Sequence, residues 1–233
     1  MKKVALISDV HGNLQALESV LKDLGAMNIP RTDTYCLGDV IGYGPFPNEV
    51  VALIEAEAIP MILGNHDEAR LQMLGDLPSD VDRPMDWTAD QLNDQSRAFL
   101  KALPTEMVLD LDGVSLLLTH GSPNHIAEYI YEEDRDLMAQ LAQETTYDYI
   151  ATGHTHLTLD TQSGKTGFIN PGSVGRPKGG DWRASYCIVT VTADKTLEVT
   201  FRKVAYDVDA VVAAIEKTDL PASNGAFLVK DRK

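Results

Sequence analysis

The sequence predicts a mixed α/β sandwich, two β-sheets with helices outside both. Three observations lead there. Early in the chain, short apolar runs alternate with segments of helical periodicity, the pattern of parallel βαβ connections. Later, apolar runs are separated by tight turns, so antiparallel hairpins must join those strands and an all-parallel sheet is excluded. The 233 residues are 44% hydrophobic and 24% charged, a globular balance that can bury a core, with no repeat or composition break to mark a linker. One domain over residues 1–233 is the expectation.

The elements follow in order. Lys3–Ser8 is a buried strand. Asn13 is placed to cap the next helix, in which Leu14, Leu17, Leu21 and Leu24 recur at helical spacing and which Gly25 can end. Thr34–Leu37 reads as a second strand, leading into a loop with Gly42, Gly44, Pro45 and Pro47; Glu49–Ala56 reads as helix and Ile59–Leu63 as a third strand. A mostly helical stretch runs from Met85 to Leu103. Met107–Leu111 and Val114–Thr119 then flank Asp112-Gly113, a strong hairpin signal. Glu132, Glu133, Asp134 and Asp136 open a helix, where negative charge is favoured, and Tyr129 and Tyr131 pack locally. Tyr149–Thr152 is a short strand, Leu157–Thr161 and Thr166–Asn170 flank Ser163-Gly164, and Tyr186–Thr192 pairs with Thr196–Arg202. After Asp207 a helix continues through Ile215.

Thirty-five acidic against 20 basic side chains give a net charge of −15. A protein that grips nucleic acid by its phosphates needs a basic face, so a long nucleic-acid partner is disfavoured. The same repulsion opposes any phosphate substrate unless something reverses the field locally. Cys36 and Cys187 lie far apart in apolar runs, which reads as buried thiols in a reducing compartment. The apolar run after Lys2-Lys3 is too short for a signal peptide, and no run approaches the ~20 residues of a membrane span. A cytoplasmic protein with no membrane partner is expected.

Chemistry gathers at the strand ends. Five of the six histidines follow directly on predicted strands: Asp9-Val10-His11, Asn65-His66-Asp67, His120-Gly121 and His154-Thr155-His156, with Asp39 ending the second strand. In α/β sheets the loops at the carboxyl edge converge on one crevice, where ligands bind. Imidazole mixed with carboxylate suits borderline divalent ions such as Mn, Fe, Zn, Co or Ni. Seven ligands without His66 are too many for one ion and about right for two sharing a carboxylate. Two-metal sites hold ions roughly 3.5–4 Å apart and clamp the attacking and leaving oxygens of a displacement at phosphorus.

The series Asp9-x-His11, Gly38-Asp39, Gly64-Asn65-His66-Asp67, His120-Gly121 and Gly153-His154-Thr155-His156 resembles the calcineurin-like metallophosphoesterases. Gly38–Pro45, His120-Gly121-Ser122-Pro123 and Asn170–Gly175 resemble a compact bacterial branch that includes diadenosine tetraphosphatases and relatives of serine/threonine phosphatases. The likeness runs from Met1 to about Tyr206, which makes 1–206 the motif-bearing core and leaves a tail at 207–233. It implies a four-layer αββα sandwich and two divalent ions, Mn first among them. Asp9, His11 and His156 would hold one ion, Asn65, His120 and His154 the other, with Asp39 bridging. A bridging hydroxide would attack phosphorus, and His66, oriented by Asp67, would protonate or stabilise the leaving oxygen. The implied substrate is a small nucleotide ester or dinucleoside polyphosphate such as diadenosine tetraphosphate. A phosphoserine/phosphothreonine protein is the alternative, and an inactive scaffold, known for this fold in a trafficking complex, is the non-enzymatic one.

Around this set, Asn13, Tyr43, His125, Arg176 and Lys178 are candidates for substrate contact, with Arg183 in the same cationic loop. A helix cap alone accounts for Asn13, and a solvent-exposed loop position alone accounts for His125. The two divalent ions that the resemblance implies would bring +4 to a crevice whose ligands supply only two carboxylates, so its field would be positive on an acidic protein. Acidity then limits the substrate's size rather than its chemistry. A homo-oligomer is not legible either way.

Overall fold

The computed structural model describes residues 2–78 and 86–232. Its first half contains β1 (Lys3–Ile7), α1 (Leu14–Ala26), β2 (Thr34–Cys36), α2 (Pro47–Ala56), α3 (Asn65–Met73), α4 (Trp87–Gln91), α5 (Asp94–Lys101), β3 (Glu106–Leu111) and β4 (Val114–Thr119). Then come α6 (Arg135–Glu144), β5 (Tyr149–Ala151), β6 (Thr158–Ser163), β7 (Thr166–Pro171), β8 (Ala184–Val191), β9 (Leu197–Val204), α7 (Val208–Ile215) and α8 (Ala222–Val229). One sheet has the order β2-β1-β8-β9 and the other β3-β4-β5-β7-β6. Both are mixed: β1–β2, β4–β5 and β5–β7 are parallel, while the three hairpins and the β1–β8 pair are antiparallel.

Alternation along the strands builds the layers. Val4 and Leu6 of β1 face the second sheet, in one cluster with Leu116, Leu118, Ala151 and Ile169. Ala5 and Ile7 face the other way, into a cluster with Leu17, Val20 and Leu24 of α1, Val50 and Ile54 of α2 and Val211 of α7. Leu117, Ile150 and Phe168 leave the far side of the second sheet and meet Met138 and Leu141 of α6. The layers are therefore helices, sheet, sheet, helix: the expected four-layer sandwich.

Several boundaries differ from expectation for identifiable reasons. Gly25 lies inside α1, which ends instead with Asn28 in the left-handed region (φ 56°). Ile29 N bonds Leu24 O and Asn28 N bonds Gly25 O, both at 3.1 Å, a Schellman closure with asparagine in glycine's usual place. Ile59–Leu63 forms only a single parallel bridge, Met61 beside Cys36. Pro60 has no N–H to give, and Leu63 N turns away to Pro104 O at 2.8 Å. The β6–β7 turn is Gly164-Lys165, one residue later than expected, because Ser163 still pairs with Thr166. Met85, the expected start of the helical stretch, lies outside the described residues. Helix α8 has no counterpart in the sequence reading.

Helix α1 is fastened to the first sheet by one polar cluster. Asp23 accepts from Tyr186 Oη at 2.6 Å and from Arg202 Nε and Nη2 at 2.8 and 3.0 Å. The Arg202 guanidinium, helped by the Tyr186 hydroxyl, holds the Asp23 carboxyl below its ordinary range. Its contribution to stability is complete above the unfolded-state value near 4 and fades as pH falls through the folded one. Asp23→Asn is expected to cost about 1 kcal/mol at pH 7, modest because Arg202 is partly solvated. Urea unfolding should show that deficit closing as pH falls toward 2; a deficit independent of pH would deny the ion pair its role.

Candidate metal centre

All of the predicted ligands except Asn65 sit where a strand stops. Asp9 and His11 follow β1, Asp39 follows β2, His120 follows β4, and His154 and His156 follow β5; Asn65 and His66 open α3. The backbone is bent sharply at these ends. Asp9, His11, Asp39, His154 and His156 all have positive φ, from 50° to 64°, and Tyr43 joins them at 60°. Such left-handed residues cost roughly 1 kcal/mol or more each. The loop that carries His154 and His156 bends at both residues. Close approach also demands glycine: a Cβ on Gly64 would lie 2.2 Å from Asp39 N, and one on Gly153 2.1 Å from Ser8 Oγ.

Two groups result, Asp9 with His11 and His156, and Asp39 with His120 and His154; within each group the ligand atoms lie within 4.8 Å of one another, and all six residues are buried. Asp9 Oδ2 accepts from His154 N at 3.1 Å and Asp39 Oδ1 from His66 N at 2.7 Å. The other oxygens, Asp9 Oδ1 and Asp39 Oδ2, are buried without a hydrogen-bond partner. Asp9 Oδ1 lies 3.1 Å from His156 Nε2 and 3.6 Å from His11 Nε2. Asp39 Oδ2 lies 3.3 Å from His120 Nε2 and 3.7 Å from His11 Nε2, so it faces both groups. Asn65 Oδ1 completes the second group, 2.9 Å from His120 Nε2.

Backbone carbonyls fix the rings. His11 Nδ1 meets Ile41 O at 3.1 Å, His120 Nδ1 meets Leu37 O at 2.7 Å, His156 Nδ1 meets Arg176 O at 2.7 Å and His154 Nε2 meets Ala127 O at 3.1 Å. A carbonyl only accepts, so these nitrogens carry the proton and the opposite nitrogen of each ring is the one left to offer a lone pair to a metal, the arrangement of metal-binding histidines. His11 Nε2 and His156 Nε2 face each other at 3.1 Å. Two lone pairs at that separation, beside a carboxylate oxygen, call for a cation between them.

The pKa pattern agrees. Burial works against charge on Asp9 and Asp39, yet the surrounding histidines hold both well below the ordinary carboxylate range. His120 is pushed up to about 10 against its burial by the Asp39 carboxylate. Burial lowers His11, and lowers His154 to about 4 and His66 to about 3. The donor set fits divalent ions, anionic oxygens and imidazoles aimed at shared points, with a bound cation replacing the second proton that Asp39 otherwise draws onto His120.

His66 stands over this centre, its ring 5.0 Å from that of His11 and 4.8 Å from that of Tyr43. The expectation that Asp67 orients it is corrected. Both Asp67 oxygens are taken by backbone donors, Asp39 N, Val40 N, Ile41 N and Gly64 N, at 2.8–3.2 Å. Asp67 instead ties the Asp39 loop to the start of α3. Burial and Asp39 raise its pKa to about 7 while the N–H donors pull the other way. The partner of His66 is Arg70, one helical turn on, whose Nη1 lies 2.7 Å from His66 Nδ1, and which is held in turn by Asp86.

The remaining candidates divide. Tyr43 packs edge-on against His11 at 4.9 Å, and Arg176 lies over its ring, 4.1 Å from the centroid. Lys178 is half-buried, its backbone N bonded to His156 O at 3.3 Å. Asn13 is spent on structure: Oδ1 caps Ala16 N at 3.1 Å and Nδ2 donates to Gly175 O at 2.9 Å. His125 is exposed and folds back on its own loop, accepting from Ala127 N at 3.0 Å. Arg183 is paired with Asp181 at 2.8 Å. Two residues escaped the sequence reading. Arg70 was detectable from its i+4 spacing to His66 on a helix; Tyr129, stacked on His154 at 3.9 Å rather than packing only on Tyr131, left no comparable signal.

Sandwich and ligand set together point to a metal-binding protein, and its relatives place it among the hydrolases. The calcineurin-like phosphoesterase superfamily domain matches residues 1–194. An uncharacterized protein of Methanocaldococcus jannaschii, MJ0912, is 32% identical over 98% of both chains. Phosphodiesterase YfcE of Escherichia coli K12 is 32% identical across 80% of this chain and 86% of its own. The crystal structure of a metallophosphoesterase from Sphaerobacter thermophilus superposes with a TM-score of 0.81 at 34% identity, covering 98% of each chain. The chain belongs to the calcineurin-like phosphoesterase superfamily. No helix among the described residues is long and apolar enough to cross a membrane.

If the facing lone pairs await cations, metal should stabilise the fold. Mn at about 100 times its dissociation constant is expected to add about 2.7 kcal/mol, or roughly 5–10 °C in melting temperature. Asp39→Ala should lose most of that rise in differential scanning calorimetry; an undiminished rise would remove Asp39 from the ligand set.

Proposed function

We propose that this chain is a two-metal phosphoesterase of the cytoplasm, acting as one domain on a small nucleotide ester or a dinucleoside polyphosphate such as diadenosine tetraphosphate. The observation that carries the two-metal reading is Asp39 Oδ2, a buried oxygen with no hydrogen-bond partner that faces His11 Nε2 on one side and His120 Nε2 on the other. Asp9, His11 and His156 would hold one ion and Asn65, His120 and His154 the other, with Asp39 shared. Mn is the favoured ion of a set that Fe, Co, Ni and Zn also suit. Two such ions, when bound, supply neutralisation of phosphoryl oxygens and a water acidic enough to attack at neutral pH.

The chain's own residues do the rest. A guanidinium only donates, so Arg70 Nη1 beside His66 Nδ1 makes Nδ1 the acceptor and leaves the ring proton on Nε2. With its pKa lowered to about 3, chiefly by burial, His66 is neutral at physiological pH. It therefore serves the leaving oxygen as a fixed N–H donor more than as an imidazolium acid. Arg176 and Lys178 add positive charge beside Tyr43 and His156, which favours a substrate with more than one phosphate. A net charge of −15 elsewhere disfavours one that spreads across the surface.

Hydrolysis of diadenosine tetraphosphate and of a phosphoserine peptide, assayed side by side with Mn, tests the substrate class. The dinucleotide should be preferred; a clear preference for the peptide would reverse the assignment. His66→Ala should keep its metal and lose about 10²–10⁴ in kcat. Arg70→Met should lose about 10–100-fold in kcat with KM nearly unchanged. Unchanged turnover in either variant would remove that residue from the mechanism.

A further inference from the structure

Among the described residues, every arginine except Arg176 lies within 4.0 Å of a carboxylate oxygen. Arg176 has no such partner, and its guanidinium donates no hydrogen bond to a described residue; only its backbone is engaged, through N to Ser173 Oγ at 2.8 Å and O to His156 Nδ1 at 2.7 Å. In a chain with 35 acidic residues an unpaired, half-buried guanidinium requires a reason.

It is held by stacking. The guanidinium carbon lies 4.1 Å from the centroid of Tyr43 and 3.9 Å from that of Phe227, and Lys230 Nζ lies 3.8 Å from Phe227. Two aromatic faces fix the plane of the fork and leave its N–H edges free. Helix α8, which carries Phe227, also donates from Asn224 Nδ2 to Tyr43 O at 2.9 Å. Asn224 and Leu228 of α8 and Val211 and Ile215 of α7 wall a water-sized cavity of about 10 Å³ together with His11, Tyr43 and Arg176. All of these tail residues lie beyond residue 194, where the family domain ends. Lys178, half-buried with its backbone N bonded to His156 O at 3.3 Å, adds a second cation to the same loop, so a small positive patch adjoins the metal centre.

We propose that the α7–α8 hairpin is a specificity element that clamps Arg176 as a rigid seat for a second anionic group of the substrate, the phosphate adjoining the one that is cleaved. The inference rests on the phosphoesterase reading above. Phe227 acts through Arg176 and is a positioning residue. A planar guanidinium with its acceptors missing takes two oxyanion oxygens at once, and one held in place loses less freedom in doing so.

Isothermal titration of the Mn-saturated protein, at constant free Mn, with methylphosphonate and with methylenediphosphonate separates one anionic group from two. The wild type should bind the diphosphonate more tightly. Arg176→Gln and Phe227→Leu should each weaken the diphosphonate about tenfold and methylphosphonate less than about twofold. Phe227→Tyr, which keeps the aromatic face, should restore the difference, with melting temperatures showing that each variant is folded. Equal losses for both probes, or none for the diphosphonate, overturn the clamp while leaving the phosphoesterase reading intact. A wild type that binds neither probe overturns both.

Discussion

The structure depends on a crowd of lone pairs. Asp9 Oδ1 and Asp39 Oδ2 are buried without partners, and the Nε2 atoms of His11 and His156 face each other at 3.1 Å. Like charge and like lone pairs do not gather in a protein interior unless a cation joins them. Much of the surrounding architecture holds that crowd in place. Backbone carbonyls of Ile41, Leu37, Arg176 and Ala127 fix the four rings. Asp67 spends both oxygens on the loop that carries Asp39. The left-handed backbone at five ligands is strain that the two-sheet core must offset.

The two sheets explain how distant ligands meet. Val4 and Leu6 of β1 pack against the second sheet, which brings the end of β1 beside the ends of β4 and β5. Asp9 Oδ2 then reaches His154 N, and Ser173 Oγ donates to Asp9 O at 2.8 Å. Each group of ligands draws on both sheets: Asp9 and His11 with His156, Asp39 with His120 and His154. A shift between the sheets would therefore open both groups, and the core that separates the sheets is also what sets the metal geometry.

Much of this was legible in the sequence because the signals are local. Strand ends followed by His, Asp and Gly announce the ligands, and Asp112-Gly113 announces its hairpin, with both residues at positive φ. What escaped depends on long-range contact. Asp67 adjoins His66 in sequence, yet helix geometry turns it toward the Asp39 loop and leaves Arg70, a full turn away, to meet the imidazole. Ile59–Leu63 has strand composition, but Pro60 limits its pairing to one bridge. The structural partners of Asn13 and His125, Gly175 O and Ala127 N, come into view only in the fold. Helix α8 has too little periodicity to show itself, and its meaning comes from Phe227 against Arg176, residues 51 apart that no local pattern links.

A net charge of −15 is compatible with phosphate chemistry because ligands and cations are segregated. The two carboxylates that face the centre would be outweighed by the pair of divalent ions proposed for it, and the unpaired Arg176 extends the positive field outward. Anomalous diffraction from crystals grown with Mn examines that pairing most directly. Two peaks roughly 3.5–4 Å apart are expected, one against Asp9, His11 and His156, the other against Asn65, His120 and His154, with Asp39 touching both. A single peak, or two peaks with Asp39 bound to neither, would contradict it.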